Sequence, residues 1–188
     1  DALDEIAAVA KENGCATHID GARIFNASIA TGVDVARMCR DYDSVSICLS
    51  KGLGAPVGSV LVGSQEFINK AHRWRKMFGG GWRQAGVLAA AGLHALDHHI
   101  ERLADDHSRA RKVAEAINAM DNFSVDLEAV QSNLVYVNCN IPAAGLIVSL
   151  AEHGIDMFDL PYNRVRVAIH LHITDEDVDR IIAAFAAQ

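Results

Sequence analysis

The sequence predicts an α/β protein whose C-terminal part forms a smaller α+β domain. Helical and strand-like segments alternate through residues 2–120, which is typical of a layered α/β sheet. After Asn122 the pattern changes to short strands with two helices, so we expect domains at 1–120 and 121–188. The 188 residues are 51% hydrophobic, which is enough for a sizeable buried core.

The elements of the first predicted domain follow from hydrophobic periodicity and stop signals. Helices are predicted at 2–12, 67–77, 84–96 and 99–120, and strands at 15–19, 44–49 and 58–63. The first helix ends at Asn13-Gly14, a strong stop signal. The 84–96 helix is rich in Ala and Leu almost all round, so we expect it to be buried. The 99–120 helix has charged residues on one face and should be half exposed.

The second predicted domain combines strands and helices of similar length. Its strands are predicted at 124–127, 133–138 and 164–170, and its helices at 142–153 and 175–187. The sequence contains no internal repeat and no low-complexity segment that would suggest a different architecture.

Charge and composition exclude several classes of function. The formal net charge is -7 and there is no basic run, so nucleic-acid binding is not expected. Apolar runs end well short of the ~18 residues of a membrane span, and we see no signal peptide. The four cysteines form no CxxC pair, which favours buried, reduced thiols over zinc or disulfides. We therefore expect a cytoplasmic protein.

The beginning of the chain is unusual. The helical pattern is already established at residues 2–12, and the first residue is not Met. We therefore expect an N-terminal portion to be missing from this sequence.

Three polar segments follow strands or precede helices in the first predicted domain. Asp20-Gly21-Ala22-Arg23 follows the first strand, Ser50-Lys51-Gly52-Leu53-Gly54 follows the second, and a glycine run at 79–81 precedes Trp82-Arg83-Gln84. In open α/β sheets, ligands bind beyond the carboxyl ends of the strands. The sequence therefore offers an acid, a lysine and an arginine to one crevice.

Pyridoxal 5'-phosphate (PLP) would use such a set of side chains. Its aldehyde needs a lysine amine, and its pyridine nitrogen needs a carboxylate that keeps it protonated. Each segment also has an ordinary structural explanation, since Ser-Lys-Gly is usually a surface loop, Asp-Gly a turn and a glycine run a flexible loop. A generic nucleotide-binding domain is disfavoured, because neither GxGxxG nor GxxxxGK[ST] occurs.

Four segments carry a resemblance to a known family. They are HIDGARIFNASIATG, DSVSICLSKGLGAPVGSVLVGSQEFI, RKMFGGGWRQAGVLAAAG and RVAIHLHIT. They closely resemble low-specificity L-threonine aldolases, which are PLP enzymes of the aspartate-aminotransferase-like fold type I. The resemblance implies that this chain holds part of the large-domain sheet and a small α+β C-terminal domain.

The resemblance also implies roles for residues around the cofactor. Lys51 matches the Schiff-base lysine, and Asp20 matches the carboxylate paired with the pyridinium nitrogen. Arg23 matches the arginine near the ring's 3-oxygen. Arg83 matches an arginine that contacts the cofactor phosphate across a subunit interface in relatives, and Lys76 could assist it.

Arg166 matches the arginine that holds the substrate carboxylate, a role suited to a planar, bidentate guanidinium. Arg164 is a close competitor, because alternation along a strand puts both on one face. The spacing to His170 favours Arg166. We expect His18, His170 and His172 to be packing or hydrogen-bonding residues, since nothing completes a metal site around them.

The sequence departs from the family pattern in two places and lacks some of its parts. Ile169 stands where a small polar residue is usual, and Trp82 where Met is common. The phosphate-binding loop, the histidine that stacks on the ring and the histidine near the substrate hydroxyl have no counterpart here. In relatives all three lie in the N-terminal part.

The resemblance implies cleavage of L-threonine or L-allo-threonine, a small β-hydroxy-α-amino acid, to glycine and acetaldehyde. It also implies a homodimer or homotetramer with shared active sites, and no metal. Two alternatives stay open. One is another fold type I enzyme, such as a β-eliminating lyase or an aminotransferase, and the other is a catalytically silent truncated chain.

Overall fold

The computed structural model describes residues 2–188, and the chain separates into two units between Glu101 and Arg102. We expected a boundary at 120/121, after helix α6 (Leu103–Asn118), whereas this division lies just before that helix. The buried side of α6, which includes Val113 and Ile117, belongs to the hydrophobic core of the second unit. The helix therefore folds with the residues that follow it.

Within its described residues 2–101, the first unit contains a three-stranded sheet and five helices. The helices are α1 (Ala2–Glu12), α2 (Ile24–Thr31), α3 (Val35–Cys39), α4 (Gln65–Met77) and α5 (Gly86–His98), and the strands are β1 (His18–Asp20), β2 (Ser44–Cys48) and β3 (Ser59–Gly63). The strand order is β1-β2-β3, with β1 and β2 parallel and β3 antiparallel to β2. The sequence predicted the three strands but not α2 or α3.

The side chains on one face of β1 and β2 are polar. His18 lies opposite Ser44 and Asp20 lies opposite Ser46, so alternation places these side chains on one face. The His18 ring lies between the two hydroxyls, with Nδ1 2.9 Å from Ser44 Oγ and Nε2 3.3 Å from Ser46 Oγ. This confirms a hydrogen-bonding role for His18.

Helix α5 corrects one prediction. We expected it to be buried, but Val87 is 83% exposed and Leu93 is 62% exposed. Only Gly92 and Ala95 are buried, because the rest of the first unit covers a single stripe of the helix. None of the helices within residues 2–188 has both the length and the apolar character needed to cross a bilayer.

The cysteines correct another prediction in part. All four are free, as expected, but only Cys139 is buried. Cys15 is exposed, because it lies in the irregular segment before β1 rather than in the strand.

The second unit is an antiparallel sheet with three helices and a 3-10 turn. Its elements are α6, β4 (Phe123–Val125), the 3-10 turn Leu127–Ala129, β5 (Leu134–Cys139), α7 (Ala143–Glu152), β6 (Phe158–Leu160), β7 (Arg164–Ala168) and α8 (Asp175–Ala186). The strand order is β4-β5-β7-β6. Val135, Val137 and Val165 are fully buried on one face, where they join side chains of the helices in a single core. The sequence did not predict β6.

The turn before β7 is held by Asn163. This residue has a left-handed backbone (φ 56°), which asparagine tolerates better than most residues. Its Nδ2 donates to the carbonyls of Cys139 (2.6 Å) and Ile141 (2.8 Å), and its Oδ1 accepts from the Ala143 amide (2.8 Å). Asn163 therefore fixes where β7, the strand that carries Arg164 and Arg166, begins.

Candidate functional site

The carboxylate of Asp20 lies at the carboxyl end of β1. The Asp20 Oδ1 accepts from the Ala22 amide (3.1 Å), so the side chain closes the tight turn that follows the strand. The Gly21 amide donates to the Ser46 carbonyl (2.7 Å). A Cβ at Gly21 would lie 2.7 Å from that oxygen, so only glycine allows this close approach between the Asp20 turn and β2.

Arg23 follows in the same turn and precedes α2. It is half-buried, and its Nε is buried with no hydrogen-bond partner among residues 2–188. A buried donor without a partner is unusual, because leaving one unpaired costs about 1–3 kcal/mol. This orphaned donor is the kind of group that a ligand satisfies.

Lys51 lies in the turn after β2, at the same edge of the sheet as Asp20. The turn is closed by two backbone hydrogen bonds, from the Gly54 amide to the Lys51 carbonyl and from the Ala55 amide to the Leu49 carbonyl, both 2.9 Å. Leu53 and Ala55 are buried, whereas Lys51 is exposed. In the described part of the chain, the Lys51 amine makes no hydrogen bond or ion pair. The turn is thus anchored while its amine remains available.

The parallel pairing of β1 and β2 explains why Asp20 and Lys51 share this edge. Parallel strands end at the same side of a sheet, and Asp20 is in register with Ser46, only a few residues before Lys51. The arrangement expected from the sequence is therefore present, with an acid and an amine following neighbouring strands.

The glycine run lies at the end of α4. Gly79 has a left-handed backbone (φ 87°), and the Gly80 amide donates to the Arg75 carbonyl (2.8 Å), so these glycines terminate the helix. Lys76 folds against the run, because a Cβ at Gly81 would come within 2.6 Å of its Nζ. Arg83 is exposed and, like Lys76, makes no hydrogen bond to Asp20, Arg23 or Lys51 within residues 2–188. Within residues 2–188, neither cation is therefore hydrogen-bonded to the residues of the Asp20–Lys51 edge.

Arg166 lies in the second unit, on the side of the sheet opposite the core. It is in register with Tyr136 on β5 and Phe158 on β6, which are 43% and 73% exposed. Its guanidinium has no partner in the part of the chain that the structure describes. By contrast, the Nε of Arg164 donates to the Pro161 carbonyl (3.2 Å), and its guanidinium lies 5.6 Å from the ring centre of Tyr162.

A cavity of about 300 Å³ in the second unit is lined by Arg166 together with His170 and His172. The two rings meet edge to face, with centres 5.6 Å apart. The His172 amide donates to His170 Nδ1 (3.4 Å). We expected these histidines to be packing or hydrogen-bonding residues, and the sequence did not show that they share a cavity with Arg166.

Ile169 stands where a small polar residue is usual in the family. It is fully buried in the core, on the side of the chain away from Arg166 and His170. Its amide donates to the Asn133 carbonyl (2.9 Å), and its carbonyl accepts from Asn133 Nδ2 (2.8 Å). Among the described residues, no group of three or more potential ligands could hold a metal ion.

Comparison with known proteins identifies the family. Low-specificity L-threonine aldolase 1 of Arabidopsis thaliana is 45% identical over 186 residues, covering 97% of this chain and 52% of the relative. A structure of a threonine aldolase from Leishmania major has a TM-score of 0.77 and 19% identity, covering 98% of this chain and 55% of that chain. A structure described as SPT with PLP has a TM-score of 0.69 and 24% identity, covering 98% of this chain and 50% of that chain.

These similarities confirm the expected fold and the resemblance to low-specificity L-threonine aldolases. The chain spans about half the length of the curated relatives it matches. The family model described as beta-eliminating lyase matches residues 1–140, and the chain therefore belongs to the beta-eliminating lyase family.

Proposed function

We propose that this chain supplies the cofactor-binding lysine of a PLP-dependent aldolase that cleaves L-threonine and L-allo-threonine. The observation that carries the proposal is that Asp20 and Lys51 follow the ends of neighbouring parallel strands, with Asp20 in register with Ser46. The amine of Lys51 is unengaged among the described residues, so it can react with the aldehyde carbon of the cofactor.

Three further features fit PLP. The Asp20 carboxylate is exposed at the sheet edge and can accept a hydrogen bond from a protonated pyridine nitrogen. The buried Nε of Arg23 lacks a protein partner within residues 2–188, as expected for a donor to the ring's 3-oxygen. Gly21 leaves no side chain in the turn between these two residues.

In the proposed reaction, Arg166, Lys51 and Asp20 have separate roles. Arg166 would hold the substrate carboxylate, and Lys51 would hold the cofactor through its amine. A base removes the proton of the β-hydroxyl, the Cα–Cβ bond breaks, and acetaldehyde leaves. Bound PLP supplies the electron sink for the pair left on Cα, and Asp20 keeps the pyridine nitrogen protonated. Protonation of Cα then gives glycine.

Product identity tests this proposal. We expect the full-length protein with L-threonine to form glycine and acetaldehyde in equal amounts. Amino-acid analysis measures the glycine, and reduction with NADH and alcohol dehydrogenase measures the acetaldehyde. The family description favours β-elimination as the second candidate. That reaction would instead release water and then ammonia from threonine and leave 2-oxobutanoate. Formation of 2-oxobutanoate without glycine would contradict the aldolase proposal.

We also propose a cytoplasmic homodimer or homotetramer in which Arg83 reaches the cofactor phosphate of a neighbouring subunit, assisted by Lys76. Exposed aromatic residues beside the glycine run support this, since Phe78 is 84% exposed and Trp82 is 70% exposed. Sedimentation of the full-length protein at low concentration should show no monomer. A monomer that retains a full complement of cofactor would contradict the shared site.

A further inference from the structure

The turn that carries Lys51 is held by a residue far away in the sequence. His99 Nδ1 lies 2.6 Å from the carbonyl oxygen of Leu53, two residues after Lys51. A carbonyl oxygen only accepts hydrogen bonds, so Nδ1 of His99 must carry the hydrogen. The histidine therefore satisfies a carbonyl in a turn that belongs to no helix or strand.

Helix α5 supports the same turn at a second point. Gly92 is buried in α5, and a Cβ there would lie 3.0 Å from Leu49 Cδ1, so the helix backbone packs closely on Leu49. Ala95 is 1% exposed and lies between Gly92 and His99 on the same stripe of the helix. Helix α5 thus packs on Leu49, and His99, the residue that caps this helix, contacts Leu53 on the other side of Lys51.

We propose that His99 is a positioning residue for Lys51. The inference rests on the proposed role of Lys51 as the cofactor-binding lysine. Covalent chemistry needs the amine held within about 0.5 Å of its productive position, and loops achieve this only when supporting contacts fix them. The hydrogen bond from His99 to Leu53 is such a contact, since it ties the turn to the end of α5.

Three variants of the full-length protein separate this role from ordinary packing. His99→Leu removes the donor and keeps an apolar side chain of similar bulk. His99→Asn keeps a donor, because its Nδ2 is bonded to Cγ as Nδ1 is in histidine. His98→Leu is the matched control, since His98 is the neighbouring exposed residue and its ring contacts His94, with ring centres 4.5 Å apart.

Amide hydrogen exchange reports directly on the turn. We expect His99→Leu to raise the exchange rates of the Gly54 and Ala55 amides roughly tenfold, the effect of losing one hydrogen bond. The parent rates should persist in His99→Asn and His98→Leu. In parallel, kcat of His99→Leu should fall roughly tenfold with little change in KM, because the displaced amine slows chemistry rather than carboxylate binding.

Unchanged exchange in His99→Leu, or equally fast exchange in His99→Asn, would overturn the proposal. If the leucine variant does not fold, His99→Gln replaces it, because its amide lies one bond further from the backbone. The Gly54 and Ala55 amides should exchange faster in His99→Gln than in His99→Asn, and equal rates would again overturn the proposal. Exchange needs no turnover, so it tests His99 even if the protein proves not to be an aldolase.

Discussion

Replacing Lys51 by alanine is expected to abolish both the visible absorbance of the bound cofactor and the cleavage of threonine. In the described turns at 20–23 and 49–55, Lys51 is the only lysine, and it therefore offers the only side-chain amine there. We expect kcat to fall by roughly 10³-fold or more, which is at least as large as the usual rate loss on removing a group that transfers protons. Absorbance spectra and the rate of glycine formation measure the two effects.

This loss should not arise from unfolding. Lys51 is exposed and makes no hydrogen bond or ion pair within residues 2–188, so its truncation should change stability by less than about 0.5 kcal/mol. The matched control is Lys112→Ala, which removes an exposed lysine paired with Asp179 at 2.6 Å. Retention of the absorbance band and of activity in Lys51→Ala would refute the assignment.

Replacing Arg166 by glutamine is expected to raise KM for threonine by roughly 10²-fold, because the proposed bidentate pair with the substrate carboxylate is lost. Arg166→Lys should recover only part of the affinity, since an ammonium cannot form the two parallel hydrogen bonds. Thermal unfolding should hardly change, because the Arg166 guanidinium has no internal partner among the described residues.

Arg164→Gln is the informative comparison. Arg164 lies on the same face of β7, but it already donates to the Pro161 carbonyl and lies against the Tyr162 ring. We therefore expect its replacement to lower the unfolding temperature slightly and to leave KM nearly unchanged. If Arg164→Gln raises KM while Arg166→Gln does not, the two arginines have been assigned in the wrong order.

Much of the Asp20–Lys51 arrangement was predictable from the sequence. Short apolar runs ending at Asp20-Gly21 and Ser50-Lys51 indicate strand ends, and strand ends in an α/β sheet meet at one edge. Alternation likewise predicted that Arg164 and Arg166 share a face, which their pairing with β5 confirms. The preference for Arg166, which came from its spacing to His170, stays a prediction. The sequence could not show the contacts of each guanidinium, because they depend on how the preceding turn folds.

Other features could not be predicted, because they arise from tertiary contacts. The burial of α5 was overestimated, since apolar composition does not tell which residues the rest of a unit covers. The direction of β3 is not encoded in its alternation, which is the same in parallel and antiparallel strands. The contact between His99 and Leu53 joins residues 46 positions apart, so no local sequence pattern predicts it.

Reduction of the purified full-length protein with borohydride in the presence of PLP, followed by peptide mapping, tests the central claim most directly. The reagent converts a lysine–pyridoxal linkage into a stable secondary amine. We predict a single pyridoxyl group on Lys51, and none on Lys76 or Lys112. Labelling of another lysine, or of none, with the protein folded would contradict the account.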